Sequence, residues 1–154
     1  YEGKIPNPEN INDNDNEILN EVISQKNDIE SNLNQFKFRE ALKSLINIAR
    51  IGNKFLADTE PWKIKNENPE RVEQILKTSF EIVSYLAVLS EPFIPHTSKK
   101  LKKMIGLNKS DWSNLDNLGR EINFNYTITN KEMLFRRIED SEIEFQISRL
   151  KNDI

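Results

Sequence analysis

One stretch of the chain combines the residue types that can bind a nucleobase. Residues 53–63 read Asn-Lys-Phe-Leu-Ala-Asp-Thr-Glu-Pro-Trp-Lys. Pro61 cannot donate a backbone hydrogen bond and disfavours the helical region for the residue before it, so a helix must break here and present Trp62 just beyond the break. An indole in that position can stack on a base, and the nearby Lys63 and Lys65 can bind phosphate. The same indole could equally fill a hydrophobic pocket. The surrounding elements are therefore needed to distinguish base stacking from packing.

A long amphipathic helix is predicted directly before this break, over residues 35–59. Its apolar residues recur at three- and four-residue steps and form one narrow seam, made of Phe38, Leu42, Leu45, Ala49, Gly52 and Leu56. On roughly the opposite face, within about 60° of one another, lie the four residues of a basic stripe: Arg39, Lys43, Arg50 and Lys54. The stripe is some 20 Å long and ends next to Trp62. A solvated helix face is the commoner reason for such a pattern, and an RNA-binding surface is the alternative.

The rest of the chain predicts an all-α fold, because helical periodicity recurs and the connections between periodic segments are short. Further helices are expected over residues 13–33, 69–91, 96–105 and 140–150. The helix from residue 69 carries its own start signal, since Asn68 can cap it and Pro69 suits its first position. We therefore expect an antiparallel bundle of four to five helices with an irregular C-terminal tail.

One domain is expected over residues 1–154, in three parts. Residues 1–12 form an extended lead-in, residues 13–107 form the bundle, and residues 108–154 form a tail that ends in a helix. Within the tail, apolar and polar residues alternate over 122–128, which permits a short strand or an extended segment. Trp112 is expected to pack in the core.

Composition disfavours several classes of function. The chain has a net charge of −3, no cysteine and one histidine, so neither a disulfide framework nor a zinc site is expected. A glycine-rich phosphate loop and a G-x-S-x-G nucleophile motif are both missing from the sequence, so we expect no catalytic residue, and we assign His96 a structural role. No apolar run could span a membrane and no signal peptide is visible, so the cytoplasm is the expected compartment. Because the chain starts at Tyr1 without methionine, we expect it to be a fragment of a larger protein.

The sequence resembles a known family over nearly its whole length. Residues 38–62 read F-R-E-A-L-K-S-L-I-N-I-A-R-I-G-N-K-F-L-A-D-T-E-P-W, which is similar to the C-terminal anticodon-binding domain of methionyl-tRNA synthetases. Three further segments match in the family's order: Y-E-G-K-I-P at residues 1–6, L-S-E-P-F-I-P-H-T-S-K-K-L at 89–101 and L-F-R-R-I-E at 134–139. Two of these elements also occur, in looser form, in related class I synthetases: N-K at 53–54 followed by P-W at 61–62, and P-F-x-P at 92–95. Their combination with the segments at 1–6 and 134–139 is more particular to the methionine enzymes.

The resemblance implies a role for the residues around the break. In the family, the tryptophan at the position of Trp62 stacks on the wobble cytosine of the anticodon, and the proline at the position of Pro61 holds that indole in place. Phosphate or base contacts are expected from the nearby basic and amide residues, namely Arg50, Asn53, Lys54, Lys63 and Lys65. The implied partner is methionine tRNA with its CAU anticodon, while DNA and membranes are not expected as partners.

The resemblance also implies that catalysis belongs to another part of the protein. The adenylate-forming signatures (HIGH-like and KMSKS-like) and the zinc knuckle of the family have no match here, so ATP with Mg²⁺ and any zinc are expected in a catalytic domain of the same chain. No cofactor or metal is expected within residues 1–154. The tail from Leu134 onward resembles the segment that folds back towards that catalytic domain.

Three alternatives stay open at this point. The domain could belong to a leucyl-, isoleucyl- or valyl-type synthetase. It could be a free-standing helical interaction module that uses Trp62 or the Phe93–Ile94 corner as an anchor. A metal-dependent helical enzyme is disfavoured because the sequence lacks suitable ligands.

Overall fold

The computed structural model describes residues 1–107, 109–113, 118, 122–124, 126–129 and 131–152, and over these residues the fold is all-α, as predicted. Six helices are present in this part of the chain: α1 (Asp13–Asn34), α2 (Phe38–Thr59), α3 (Pro61–Ile64), α4 (Pro69–Leu89), α5 (Pro95–Met104) and α6 (Asp140–Asn152). The three long helices α1, α2 and α4 pack against one another, and α3 and α5 pack on α4. Short connections make successive long helices antiparallel.

Local signals explain where the long helices begin. The Asn12 side chain accepts a hydrogen bond from the backbone N–H of Asn14 at 2.9 Å and caps α1. Asn68 caps α4 in the same way, accepting from the backbone N–H of Arg71 at 3.1 Å, with Pro69 in the first position as predicted. Both caps lie at the end of the bundle that also carries α3, because α1 and α4 start where α2 ends.

The start of α2 is later than the predicted residue 35. Phe36 adopts a left-handed conformation with φ of 59°, and the backbone N–H of Lys37 donates to the carbonyl of Asn32 at 2.8 Å. These features close the end of α1 and prevent the two helices from merging. Glycine is the usual residue in this conformation, so Phe36 gave no sequence signal for it.

The buried face of α2 differs from the predicted seam. Phe38 and Leu42, which the seam placed inside, are exposed, whereas the residues buried on α2 are Ala41, Ser44, Leu45, Ile48 and Phe55. The buried face is rotated by roughly 75° about the helix axis from the predicted one. The reason is that both α1 and α4 contact α2, so the buried face of α2 is broad. A seam chosen by strict three- and four-residue steps is narrower and is centred elsewhere on the helix.

Helix α4 is buried on several sides because four other helices contact it. Its large buried apolar residues include Val72, Ile75 and Phe80. Five further residues of α4 are also buried: Thr78, Ile82, Ser84, Val88 and Leu89. Close packing also explains Gly52 on α2, since a Cβ there would lie 3.1 Å from Cγ2 of Ile82.

A buried ion pair joins the starts of α1 and α4. The Arg71 guanidinium donates two hydrogen bonds to the fully buried Asp15 carboxylate, at 2.6 and 2.7 Å. Thr78 donates a third, longer bond of 3.4 Å to the same carboxylate. A two-point contact between planar groups fixes orientation as well as distance, so this pair sets how α1 meets α4.

The lead-in pairs with the tail instead of standing free. An isolated antiparallel bridge joins Lys4 to Thr127, and the backbone N–H of Ile128 donates to the carbonyl of Gly3 at 2.9 Å. Gly3 has φ of +85°, and a Cβ there would lie 2.4 Å from the Ile128 carbonyl oxygen, so glycine is required. The described residues of 122–128 are therefore an extended segment with one bridge and do not form a strand.

The tail is packed at its start and exposed at its end. Trp112 is partly buried against the core, as predicted, whereas residues 114–117 and 119–121 of the tail lie outside the described residues. The apolar side chains of α6 are exposed, namely Ile143, Phe145, Ile147 and Leu150. No helix in the described part of the chain is long and apolar enough to cross a lipid bilayer.

Candidate nucleic-acid interface

A one-turn helix, α3, forms the break that the sequence predicted. Glu60 leaves the helical region and adopts a left-handed conformation with φ of 40° and ψ of 56°. This differs from the extended conformation that usually precedes proline. Pro61 is buried and starts α3, and the backbone N–H of Lys63 donates to the Glu60 carbonyl at 2.8 Å, which closes a tight turn.

The turn holds Trp62 away from the core. The Trp62 side chain is 62% exposed, while its neighbours Pro61 and Ile64 pack inwards. The backbone N–H groups of Glu67 and Asn68 both donate to the Ile64 carbonyl, at 3.0 and 2.8 Å, and so anchor the far side of the turn. A large aromatic side chain is thus exposed on a short, well-anchored support.

The two lysines beyond Trp62 differ in their charge environment. The Lys63 ammonium lies 2.8 Å from the Glu60 carboxylate, so its charge is partly compensated in the free protein. Lys65 is exposed, and no carboxylate among the described residues lies within ion-pair distance of it. Of the two, Lys65 is therefore the better candidate for a phosphate contact.

Arg50 and Lys54 line a groove of about 510 Å³ between α1 and α2. Asn53 is exposed on α2, outside that lining. The groove carries mixed charge, because Glu21 and Asp58 also line it. Among the described residues no hydrogen bond or ion pair joins these α2 side chains to the turn at α3. Arg50 and Lys54 therefore lie on the groove face of α2, and Trp62 lies on the turn that follows this helix.

Sequence reasoning missed the amide side chains in that groove. The Asn47 side chain donates to Gln25 of α1 at 3.4 Å and accepts from the Arg50 guanidinium at 3.2 Å. Amide groups can hydrogen-bond to base edges, and the three-residue spacing of Asn47 and Arg50 was a usable signal. The Gln25 contact was not predictable, since it requires knowing that α1 pairs with α2.

The exposed side chains around α3 and the α1–α2 groove are suited to binding. Within the described residues, no three or more His, Cys, Asp or Glu side chains are grouped in a way that could hold a metal ion. His96 is exposed at the start of α5. What the surface offers is a stacking platform, nearby cations and amides, which suits a nucleic acid whose bases are unpaired.

Comparison with known proteins identifies the family that the sequence resembles. Residues 5–152 match the family model described as the anticodon binding domain of methionyl tRNA ligase. The methionine–tRNA ligase of Bacteroides fragilis is 43% identical over 152 residues, covering 97% of this chain and 22% of that protein. The Phocaeicola vulgatus ligase is 41% identical with the same coverage, and the Cytophaga hutchinsonii ligase is 45% identical over 80% of this chain and 18% of its own length.

Solved structures show the same fold. The free-state methionyl-tRNA synthetase of Mycobacterium tuberculosis superimposes with a TM-score of 0.80 at 19% identity, covering 89% of this chain and 28% of that chain. The same enzyme in complex with methionyl-adenylate gives a TM-score of 0.77 at 18% identity, covering 88% and 27%. The chain thus spans only about a fifth to a quarter of the relatives it matches.

Proposed function

This chain belongs to the family of methionyl-tRNA ligase anticodon-binding domains, and on that premise we propose that it binds methionine tRNA through the CAU anticodon. Trp62 stacks on the wobble cytosine, and Pro61 holds the indole in position. Lys65 contacts nearby phosphate, as do Arg50 and Lys54 from the side of α2. Asn53 and Lys63 make weaker contacts.

The observation that supports this proposal most strongly is the exposure of Trp62. An indole that served only to fill the core would be buried, whereas this one is 62% exposed beside a buried proline. Stacking on one base contributes about 1–3 kcal/mol and needs an accessible aromatic face. The family match favours the methionine enzyme over leucyl-, isoleucyl- or valyl-type synthetases, and over a free-standing interaction module.

The chemistry is assigned to the remainder of a longer polypeptide. We propose that the parent protein is a cytoplasmic methionine–tRNA ligase, which joins methionine to tRNA at the expense of ATP. ATP, Mg²⁺ and any zinc belong to its catalytic domain, because the adenylate-forming motifs do not occur in this sequence. The exposed apolar residues from Met133 to Leu150 are suited to contact that domain.

Fluorescence of single-tryptophan variants tests the stacking. Trp112→Phe leaves Trp62 as the only indole, and Trp62→Phe leaves only Trp112. We expect a CAU stem-loop RNA to quench Trp62 in the first variant and to leave Trp112 in the second unchanged, since Trp112 is partly buried against the core.

An unrelated stem-loop of equal length serves as the control. Equal quenching by both RNAs would contradict specificity for the anticodon. Absence of quenching by either RNA would contradict stacking on Trp62 altogether.

A further inference from the structure

The basic stripe on α2 extends well beyond the residues that can reach the anticodon. All four of its side chains are exposed, and the stripe lies about 150° around the helix axis from the buried face of α2. From Arg39 to Lys54 it runs about 22 Å. Lys43 lies about 24 Å from the C-terminal end of α2, too far to touch a base stacked on Trp62.

The charges of the stripe are only partly compensated, since Glu21 and Asp58 line the same groove as Arg50 and Lys54. Among the described residues, no carboxylate lies within ion-pair distance of Arg39, Arg50 or Lys54. Lys43 has one carboxylate neighbour, Glu40, at 3.9 Å, which is the outer limit of an ion pair, and both side chains are well exposed. In a protein of net charge −3, four such cations on one face form a local surface for a polyanion.

The stripe itself carries no aromatic residue. Surfaces that bind single strands combine cations with aromatic side chains on which successive bases stack. Paired RNA hides its base faces and is recognised by its phosphates and shape. A straight row of cations without aromatics therefore suits the backbone of a double-helical segment, whereas Trp62 at the far end suits unpaired bases.

We propose that the basic stripe binds the phosphate backbone of the double-helical stem next to the anticodon loop, with Arg39 and Lys43 as its distal contacts. This inference rests on the proposed function, because the loop held at Trp62 is what brings the stem alongside α2. The stripe supplies affinity that does not depend on the anticodon sequence.

Phosphate contacts are detected through salt dependence and by removing the stem. The variant Arg39→Gln/Lys43→Gln is compared with Lys99→Gln/Lys100→Gln, which removes two exposed positive charges from α5. Binding of fluorescently labelled RNA to the 154-residue chain is measured between about 50 and 200 mM salt. Three RNAs are used: a CAU stem-loop, a stem-loop with a non-cognate anticodon, and the nucleotides of the CAU loop as a linear strand.

For the Arg39/Lys43 variant, we expect the negative slope of log affinity against log salt to become shallower by about two for the stem-loops, with equal loss of affinity for CAU and non-cognate anticodons. Binding of the linear strand should be unchanged, and the α5 variant should behave as wild type. An effect no larger than that of the α5 variant would overturn the inference and assign this face to a protein neighbour. An equal effect on the linear strand, or no measurable stem-loop binding at 50 mM salt, would also overturn it. A different result would overturn the anticodon proposal: Trp62→Ala would then leave the discrimination between CAU and non-cognate anticodons intact.

Discussion

At the scale of single residues, the structure separates side chains that stabilise the fold from those that are free to bind. Trp62 and Ile48 are both large and apolar, yet one is 62% exposed and the other fully buried. Pro61 and Ile64 contact the core on either side of Trp62, so the backbone of the turn does not depend on the indole. The residues that stabilise the turn are therefore different from the exposed Trp62, to which we assign recognition.

Trp62→Ala should leave stability nearly unchanged. We expect the free energy of unfolding to change by less than about 0.5 kcal/mol, because little surface is buried by the indole. Ile48→Ala is the matched core substitution and should lose about 2–5 kcal/mol. Urea denaturation of the two variants measures both values. A loss above about 2 kcal/mol for Trp62→Ala would show that the indole acts by packing.

Arg71→Ala should be among the most destabilising substitutions at the edge of the core. It leaves the Asp15 carboxylate fully buried without its partner, which costs about 3–5 kcal/mol. Replacing both residues, as in Asp15→Leu/Arg71→Met, should lose much less, because no charge remains buried. Chemical denaturation of the single and double variants tests this. A double variant as unstable as Arg71→Ala would contradict the assignment.

At the scale of elements, the sequence predicted where the helices lie more accurately than which of their faces pack together. Asn68 and Pro69 set the start of α4, since capping and proline geometry are local. The one-turn helix α3 was not predicted, because Glu60 adopts a left-handed conformation for which glutamate gives no sequence signal. The start of α2 was displaced for the same reason, through Phe36. Local rules fail where tertiary packing holds a residue in a rare backbone conformation.

An ion pair that should respond to acid joins Arg136, in the segment before α6, to Glu142 in the first turn of α6. Hydrogen bonds from the Arg136 guanidinium, with a further one from the Glu139 backbone, lower the pKa of Glu142 to about 2. The ionised carboxylate therefore favours the folded turn above pH 4.5, its ordinary value, and this contribution is lost as pH falls towards 2.

Carbon-13 NMR of the Glu142 carboxyl group should give this depressed titration, and Arg136→Gln should return it towards 4.5. High salt should weaken the effect, because both side chains are exposed. A Glu142 titration near its ordinary value in the unsubstituted chain would contradict the ion pair.

At the scale of the whole molecule, the sequence predicted the class of fold and the position of the aromatic residue, but not the surface around it. The Pro61–Trp62 pair was informative because a proline cannot continue the helix that precedes it, since it lacks a backbone donor and disfavours the helical conformation of the residue before it. The α1–α2 groove was not predictable, since its lining comes from two helices whose pairing depends on tertiary packing. The buried face of α2 was misjudged for the same reason. Functional surfaces between helices need the packing to be known first.

A chain with an overall negative charge can bind RNA only through local features. We assign recognition of the anticodon to Trp62 at one end of the bundle and general affinity for RNA to the stripe on α2. These two contributions should separate experimentally, because base contacts specify sequence whereas phosphate contacts do not.

The central claim is tested most directly by the affinity of the chain for two stem-loops that differ only at the wobble base, CAU and UAU, measured with Trp62 and with Trp62→Ala. We predict that the unsubstituted chain prefers CAU, and that the variant loses about 1–3 kcal/mol of CAU affinity and binds both RNAs equally. A Trp62→Ala chain that keeps its preference for CAU would contradict the account.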